Sequence, residues 1–592
     1  MLNITSATSL TSTSLLDVPD NLQTATIQEV KQVLPFCYAF AIHRRRSFES
    51  KKMIVRYCPP SHRDDQSTFK NKHPRESYVE MIYPFSSNPN LRDLYRMFRY
   101  DKPRLGLLLE DFDTFAGDIS IRHCGLPGRM LLTAAIDKIS WLQAAAGVSD
   151  VDETTPPAHA HDREISLNHD LRVAGQVNWV GKTSMGVLLE LSSLGDDHQW
   201  HGVGSARFVM VSRQLSDVKV PRVPDLIIST PRERYLYEDG QANAKLGRDR
   251  RSSLIRSHEP SAEELAELIR VMKATKKRTY AGVLRVNKSS PGVLPTARLG
   301  GGEPTGTGNG LGSDDRTRNN QEVSGTNERS PTPSSNNPTP AANNNEETVI
   351  LSAVPMKKTQ LLSAALMQHQ DRNSYDVIFG GHLLSLAYEH ASATAAIHTG
   401  RLCTALSMDD VTFRAPVPIG SLLHLKAKVI FVEGPVIRVH VTASIAVSEL
   451  SPGESVLTNT FSFAFVNRRI SPQESGPDFI VAPPVYPETL PEAMEYVAGL
   501  KRHMDDDASL RAVRKWEKQM KASTTRSSAV GGGAANDLRG GEQEKEAQSA
   551  EKAALKQVTQ HQKTITEESR HRPSEIEASP IHIGKIMGAT KL

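Results

Sequence analysis

The sequence predicts an α+β protein made of two copies of one pattern, a long helix followed by a run of antiparallel strands. Three observations carry this. The order helix, acid-bearing strand, long strands, closing strand occurs over residues 78–214 and again over 354–470. Residues 436–447 alternate strictly, with Ile437, Val439, Val441, Ala443, Ile445 and Val447 on one face and Arg438, His440, Thr442 and Ser444 on the other. Residues 288–347, rich in Gly, Ser, Asn, Pro and Thr, offer almost nothing to bury and separate the two copies.

The 592 residues suffice for two or three domains, but only 38% are hydrophobic. Part of the chain is therefore expected not to pack. The expected organisation has an N-terminal extension over 1–77, open to a targeting role, and a first domain over 78–214. A linker over 215–353 contains a helix at 262–275 and the disordered insert at 288–347. The second domain spans 354–470, a C-terminal extension 471–521 and a disordered tail 522–592.

In the first copy, "GLLLEDFDTFAGDIS" from Gly106 reads as a helix with Leu105, Leu108, Leu109, Phe112, Ala116 and Ile119 on one face. The strands follow as "LLTAAIDKISW", "DLRVAGQVNWVG", "SMGVLLELSSL" and "VGSARFVMVSRQ". In the second copy the helix starts at Gly381. Its strands are "TALSMDDVTFRAPV", "SLLHLKAKVIFVEG", "PVIRVHVTASIAV" and "SVLTNTFSFAFVN", with a hairpin turn at Glu433-Gly434. Asp137 and Asp409 stand at matching places and read as structural, closing strand ends. In the linker, Ser261 and Glu264 form a capping box ahead of Leu265, Leu268, Ile269 and Met272.

A net charge of +4 is small for this length and implies no nucleic-acid partner. The short run His43-Arg44-Arg45-Arg46 reads as a solvated cluster. Cys37, Cys58, Cys124 and Cys403 show no metal-ligand spacing and are too sparse for a disulfide framework, so neither a metal nor an oxidising compartment is expected. No apolar run approaches the ~18 residues of a spanning helix, so a soluble protein is expected. Residues 1–16 are rich in Ser and Thr and uncharged, but Asp17, Asp20 and Glu29 break the pattern of a transit peptide. "VGKTS" at 180–184 lacks the first glycine of a phosphate loop and lies inside a strand pattern. "GVGSA" at 202–206 does not fit a nucleophile elbow.

The stretch Asn373-x-x-Asp376-x-x-Phe379-Gly380-Gly381 resembles the loop-to-helix signature of acyl-coenzyme A thioesterases of the double-hotdog type found in mitochondria. "SYVEMIYPF" at 77–85, "LEDFD" at 109–113, "GQVNWVGKTSM" at 175–185, "ARFVMV" at 206–211 and "FGGHLLSLAYEHASATA" at 379–395 are similar to that family too. The resemblance implies tandem hotdog folds, each a central helix wrapped by an antiparallel sheet, paired as an intrachain pseudo-dimer. It implies hydrolysis of fatty acyl-coenzyme A by water, with coenzyme A as part of the substrate and no separate cofactor. A mitochondrial location (cytoplasmic otherwise) and assembly into homo-oligomers are also implied.

Thioester hydrolysis needs a polarised carbonyl, an activated water and an apolar slot. Gly380 and Gly381 open the second helix, where free N–H groups and the positive dipole end can meet a carbonyl oxygen. Asp113 lies seven residues, about two turns, after Gly106 and matches the family's helix acid, so it stands on the same side as that glycine. In the second copy the matching position is Tyr388, with Glu389 beside it. One competent site is therefore expected, with Asp113, Asn373, Asp376 and Gly381 catalytic and Phe379, Gly380, His382 and Glu389 binding substrate. The family's loop acid or amide falls two residues before the aromatic-Gly-Gly; here that place holds Val377, and Asp376 is one residue earlier. His382 beside an acid keeps open a hotdog hydratase or dehydratase. A non-catalytic acyl-coenzyme A-binding scaffold is the third reading.

Overall fold

Each repeat is organised by one helix of 20 residues, Leu105–Cys124 in the first and Gly380–Thr399 in the second. Both end on a glycine with positive φ, 74° at Gly125 and 73° at Gly400, a conformation that only glycine adopts freely. The computed structural model describes residues 16–37, 53–59, 71–97, 102–125, 129–141, 165–214, 222–255, 262–277, 279–283, 348–373, 375–446, 455–469, 478–506, 509–510 and 513–514. The insert 288–347, the tail 522–592, Ser261 and residues 1–15 lie outside the described residues. Both repeats fall in one compact unit, residues 1–280 with 350–592. The second unit, 281–349, is described only at 281–283 and 348–349.

The two repeats share one sheet of twelve strands. In spatial order these are Gln23–Thr24, Ile54–Tyr57, Val79–Tyr83, Leu171–Val180, Ser184–Leu194, Trp200–Gln214, Arg129–Ser140, Thr404–Phe413, Ser455–Val466, Val436–Ala446, Leu422–Glu433 and Leu361–Leu366. Every ladder is antiparallel, so the α+β expectation holds. The seam between repeats pairs Ile136 with Val411, Lys138 with Asp409 and Ser140 with Ser407. Asp137 and Asp409 therefore lie mid-strand, not at strand ends. Asp137 falls in a ladder irregularity, and Asp410, at φ 53°, falls in the matching one. The hairpin turn is Gly434-Pro435, with Glu433 paired to Val436 and Gly434 at φ 55°.

The first central helix is buried on all sides rather than along one stripe. Phe112, Phe115, Ala116 and Ile119 are fully buried, and so are the acids Glu110, Asp111, Asp113 and Asp118. The sheet covers one side and the second central helix another. The rest is covered by a strap from the N-terminal extension. Residues 16–37 carry little pattern in the sequence, yet Leu16, Val30, Val33, Leu34 and Cys37 are core residues. Thr26 and Glu29 cap the helix Ile27–Val33 reciprocally. Asp118 accepts the N–H groups of Phe36 (2.7 Å) and Cys37 (2.8 Å). A Cβ on Gly117 would stand 2.7 Å from the Phe36 ring, so the strap needs that glycine. Burial pushes the Asp118 carboxyl up to about 7 despite those two donors.

The outer face of each half-sheet is also covered. Helix Pro231–Ile255, which the sequence pattern did not reveal, lies on the first half, where Asn178 donates to the Leu236 carbonyl (3.2 Å) and Arg207 meets Asp239 (3.1 Å). Helix Leu490–Met504 lies on the second half, with Tyr496 against Phe431 (5.3 Å) and Gly499 close to Ile430. Helix Ala262–Lys276 packs beside it. Arg438 is therefore buried and His440 half-buried rather than solvated. Burial, with Arg502 and Lys428 nearby, holds the His440 imidazole at about 3. Arg438 is fully buried and donates to Asp409 (2.8 Å), Asp506 (2.9 Å) and the Arg502 carbonyl (2.9 Å). Burial pushes Asp506 up, but Arg438 and Lys138 outweigh it and hold the carboxyl at about 2.

Two outcomes follow from these attachments. Asp506→Ala leaves Arg438 buried with one of its two carboxylate partners and lowers stability by about 3–5 kcal/mol in urea unfolding. In the parent, the Asp506 contribution is present above pH ~4 and is lost as pH falls through about 2. Removing residues 1–37 uncovers the core beneath Val30, Val33 and Leu34 and costs about 5 kcal/mol, whereas removing 1–15 leaves the melting temperature near that of the full chain. Equal melting of the two truncated chains would show that the strap holds nothing.

Candidate active site

The two central helices pack so that the amino end of each meets the second turn of the other. At the amino end of the second helix, a Cβ on Gly381 would stand 3.0 Å from the Glu110 Cα and would overlap the Phe379 ring. A Cβ on Gly380 would stand 3.2 Å from Asp113 Oδ2 and 3.3 Å from the Phe413 ring. The close approach of the first helix's backbone thus holds position 381 to glycine, and a Cβ at 380 would need the Asp113 carboxylate or the Phe413 ring to shift.

That approach delivers Asp113 to the helix end. Its carboxylate accepts the Gly381 N–H and the Thr133 hydroxyl, the latter at 2.5 Å. Asp113 is 4% exposed. Burial raises its pKa to about 6, and the two donors oppose that rise. Thr133 comes from strand Arg129–Ser140 of the first repeat and also reaches the Met210 sulfur (3.5 Å). The pattern reading missed Thr133. Its signal is a lone hydroxyl inside the apolar run "LLTAAI".

His382, one residue further along the helix, stands between two buried acids. Its Nδ1 is 3.4 Å from Glu110 and its Nε2 is 3.7 Å from Asp371. Phe379 occupies the N-cap position without a side-chain hydrogen bond, so the Asp113 carboxylate supplies the acceptor from the other repeat.

The loop before the helix is a tight turn. The Asn373 side-chain oxygen accepts the N–H groups of Tyr375 (2.8 Å) and Val377 (3.4 Å), and the Asn373 N–H donates to the Val377 carbonyl (2.7 Å). The Tyr375 hydroxyl accepts from the Leu131 N–H (3.2 Å), which ties the loop to the strand that carries Thr133. Asn373 thus shapes the loop. Asp376 sits at φ 57° with an exposed carboxylate near Arg372 (3.2 Å), turned to solvent and away from Asp113.

At the opposite end of the helix pair the chemistry differs. A Cβ on Gly106 would stand 2.8 Å from Ser385 Oγ and 3.3 Å from Glu389 Oε1. Glu389 is ion-paired with Arg104 (2.6 Å) there, apart from Asp113 and Gly381. Tyr388 takes the place corresponding to Asp113 and packs its ring on Phe463 (5.9 Å) and Phe465 (6.1 Å). The structure therefore brings together Asp113, Phe379, Gly380, Gly381 and His382, holds Asn373 in the adjoining loop, and keeps Asp376 and Glu389 elsewhere. No group of three or more His, Cys, Asp or Glu able to hold a metal exists among the described residues.

Residues 375–449, which include the second helix and the strands after it, match the family model of the thioesterase superfamily. The chain is 26% identical over 463 residues to the mitochondrial acyl-coenzyme A thioesterase 9 of Mus musculus, covering 77% of this chain and 83% of that protein. It is 27% identical over 464 residues to the same-named protein of Bos taurus, covering 77% and 83%. A chloroplastic acyl-coenzyme A thioesterase 2 of Humulus lupulus is 26% identical over 423 residues, covering 69% and 77%. Residues 375–449 thus match the thioesterase-superfamily model, and over about three quarters of its length the chain is similar to proteins named as acyl-coenzyme A thioesterases.

Proposed function

We propose that the protein hydrolyses acyl-coenzyme A thioesters to fatty acid and free coenzyme A at the junction of Asp113, Thr133 and Gly381. The observation that carries this reading is the buried Asp113 carboxylate of one repeat, held by the Thr133 hydroxyl, standing against the first turn of the other repeat's helix, where a Cβ on Gly380 would lie 3.2 Å from its Oδ2. The named activity of the relatives supports the same reading.

The geometry supplies each requirement. A thioester carbonyl oxygen that takes the Gly381 N–H displaces Asp113 from its donor and gains the positive end of the helix. Asp113 then loses one of the two hydrogen bonds that lower its pKa and becomes the stronger base. It removes a proton from water as the oxygen attacks the carbonyl carbon. The charge that develops on the carbonyl oxygen is met by the Gly381 N–H, a contribution worth on the order of 100-fold in rate. The tetrahedral intermediate expels the thiolate, whose conjugate acid has a pKa near 8.5, and Asp113 returns the proton to it. Thr133 holds the carboxylate in place, and Asn373 holds the loop in front of the helix. Coenzyme A enters only as part of the substrate, and the reading needs no metal.

The relatives' names place those proteins in mitochondria or chloroplasts, which supports a mitochondrial location here. A removable leader is expected to end before Leu16, because Leu16, Val30, Val33, Leu34 and Cys37 of the strap are core residues. Exposed Leu362, Leu366 and Leu422 along the last strand pair of the sheet support assembly of chains into a homo-oligomer.

The His382–Glu110 pair at 3.4 Å favours one second reading, hydration of an enoyl thioester. A single assay separates the two. Purified protein with acyl-coenzyme A should release thiol, and Asp113→Ala should reduce the rate by at least about 100-fold. Loss of enoyl absorbance without thiol release would replace hydrolysis by hydration. The pH dependence gives a further expectation. As the base form of Asp113 is required, kcat/KM should be flat above pH ~6 and fall about tenfold per unit below it. Thr133→Val removes a donor that lowers the Asp113 pKa, so the midpoint should move upward. A midpoint that stays put would detach Asp113 from the profile.

A further inference from the structure

The strand Ser455–Val466 puts an amide into an apolar row. Phe461, Phe463 and Phe465 of this strand are buried on the side that faces the second central helix, where Tyr388 meets two of their rings. Asn459 continues that row, two residues before Phe461. Its ladder partners agree. Asn459 pairs with Ala443, in the row of Val439 and Val441, and with Phe413. Directly paired residues project from the same face of a sheet, so Asn459 and Phe413 stand side by side. The Phe413 ring lies 3.3 Å from the place a Cβ on Gly380 would take, and Asp113 Oδ2 lies 3.2 Å from the same place. Asn459 is therefore one side chain removed from the Asp113 junction.

Asn459 is fully buried, and neither Oδ1 nor Nδ2 has a hydrogen-bond partner among the described residues. Most buried polar side chains are paired, and an unpaired one weakens the fold. Packing alone would favour a leucine here, of nearly the same volume and without polar atoms. Phe379, Gly380 and Phe413, by contrast, are only half-buried, so the helix end beside Asn459 is open to a ligand. The coenzyme A part of a substrate has to reach solvent. The side of the junction that runs into the buried sheet is thus left to the acyl group, whose first carbons meet Phe413 and Asn459.

We infer that the acyl group preferred at this junction carries a hydroxyl on one of its first carbons, bound by the Asn459 amide. The inference rests on the acyl-coenzyme A reading of the site and narrows its substrate class. A hydroxyl accepts from Nδ2 or donates to Oδ1. A plain hydrocarbon chain does neither and leaves the amide buried and unpaired. Sites built to bond a substrate hydroxyl reject the analogue that lacks it for this reason. Asn459 therefore acts on which acyl group is bound, while Asp113 and the Gly381 N–H act on the thioester itself.

The test uses the full chain and ketone analogues of hexanoyl-, 2-hydroxyhexanoyl- and 3-hydroxyhexanoyl-coenzyme A, in which a methylene between carbonyl and sulfur prevents hydrolysis. In calorimetric titration at least one hydroxylated analogue should bind about tenfold tighter than the plain one, the upper range for a hydrogen bond between neutral groups. Asn459→Leu keeps the volume and removes both polar atoms. It should bring the affinities together, and its melting temperature should match or exceed the parent's, because no structural hydrogen bond is lost. Equal affinities in the parent, or a preference that survives in Asn459→Leu, would overturn the inference. So would an Asn459→Leu chain that melts well below the parent or fails to fold, since the amide would then be serving the fold. Thiol release by the parent from the matching thioesters judges the hydrolytic reading separately. Selective binding without thiol release would remove hydrolysis and leave the selectivity, and thiol release with equal affinities would do the reverse.

Discussion

The close approach of two helices is the constraint on which the rest of this structure depends. The first turn of the second helix passes the first helix so tightly that a Cβ on Gly381 would lie 3.0 Å from the Glu110 backbone. Close packing at that point leaves no room for a larger residue. One contact thereby does two things. It joins the repeats through their centres, and it sets a helix-end N–H against a carboxylate that the other repeat supplies. Packing and chemistry are not rival explanations of Gly380-Gly381, because the packing is what brings the reacting groups together.

The same burial explains why acids on the first helix behave differently. Asp113 and Asp118 lie on one helix and are shielded by the protein, and burial raises both, to about 6 and about 7. With folded values above the unfolded one, their ionisation opposes folding as pH rises through those values. Asp506, also buried, sits beside Arg438 and Lys138 and is held near 2, so it stabilises the fold once ionised. Depth alone does not decide a carboxylate's role. The partner does: two backbone N–H groups for the strap, one N–H and one hydroxyl at the candidate site, two cations beneath the C-terminal helix.

Duplication gave the chain two equivalent helix ends, and the two have diverged. One kept the glycine pair and faces the acid; the other presents Leu105 and faces Tyr388. The sheet differs in extent, with seven strands on the first side of the seam and five on the second, but not in its pairing. Its ladders run antiparallel through the seam without interruption. Backbone pairing tolerates side-chain drift, whereas a reaction centre needs one particular set of groups, so the divergence is concentrated at the helix ends.

Much of this was legible in the chain itself. Period-two alternation marked the strand Val436–Ala446, because a half-sheet with an apolar inner face imposes that period. The glycine pair and Asp113 were legible as candidates from their spacing and their family likeness. Other features were not. Thr133 is one hydroxyl in an apolar strand, and only the neighbour across the fold gives it meaning. Asp376 reads as a loop acid, yet its positive φ turns it to solvent. Arg438 and His440 follow the pattern of an exposed face, but a helix more than fifty residues later covers them. Residues 16–37 lack a pattern because their order comes from Asp118 and Gly117, eighty residues away. Local periodicity records which side of an element is apolar. What lies against that side, and which polar groups meet there, is settled only when distant segments pack.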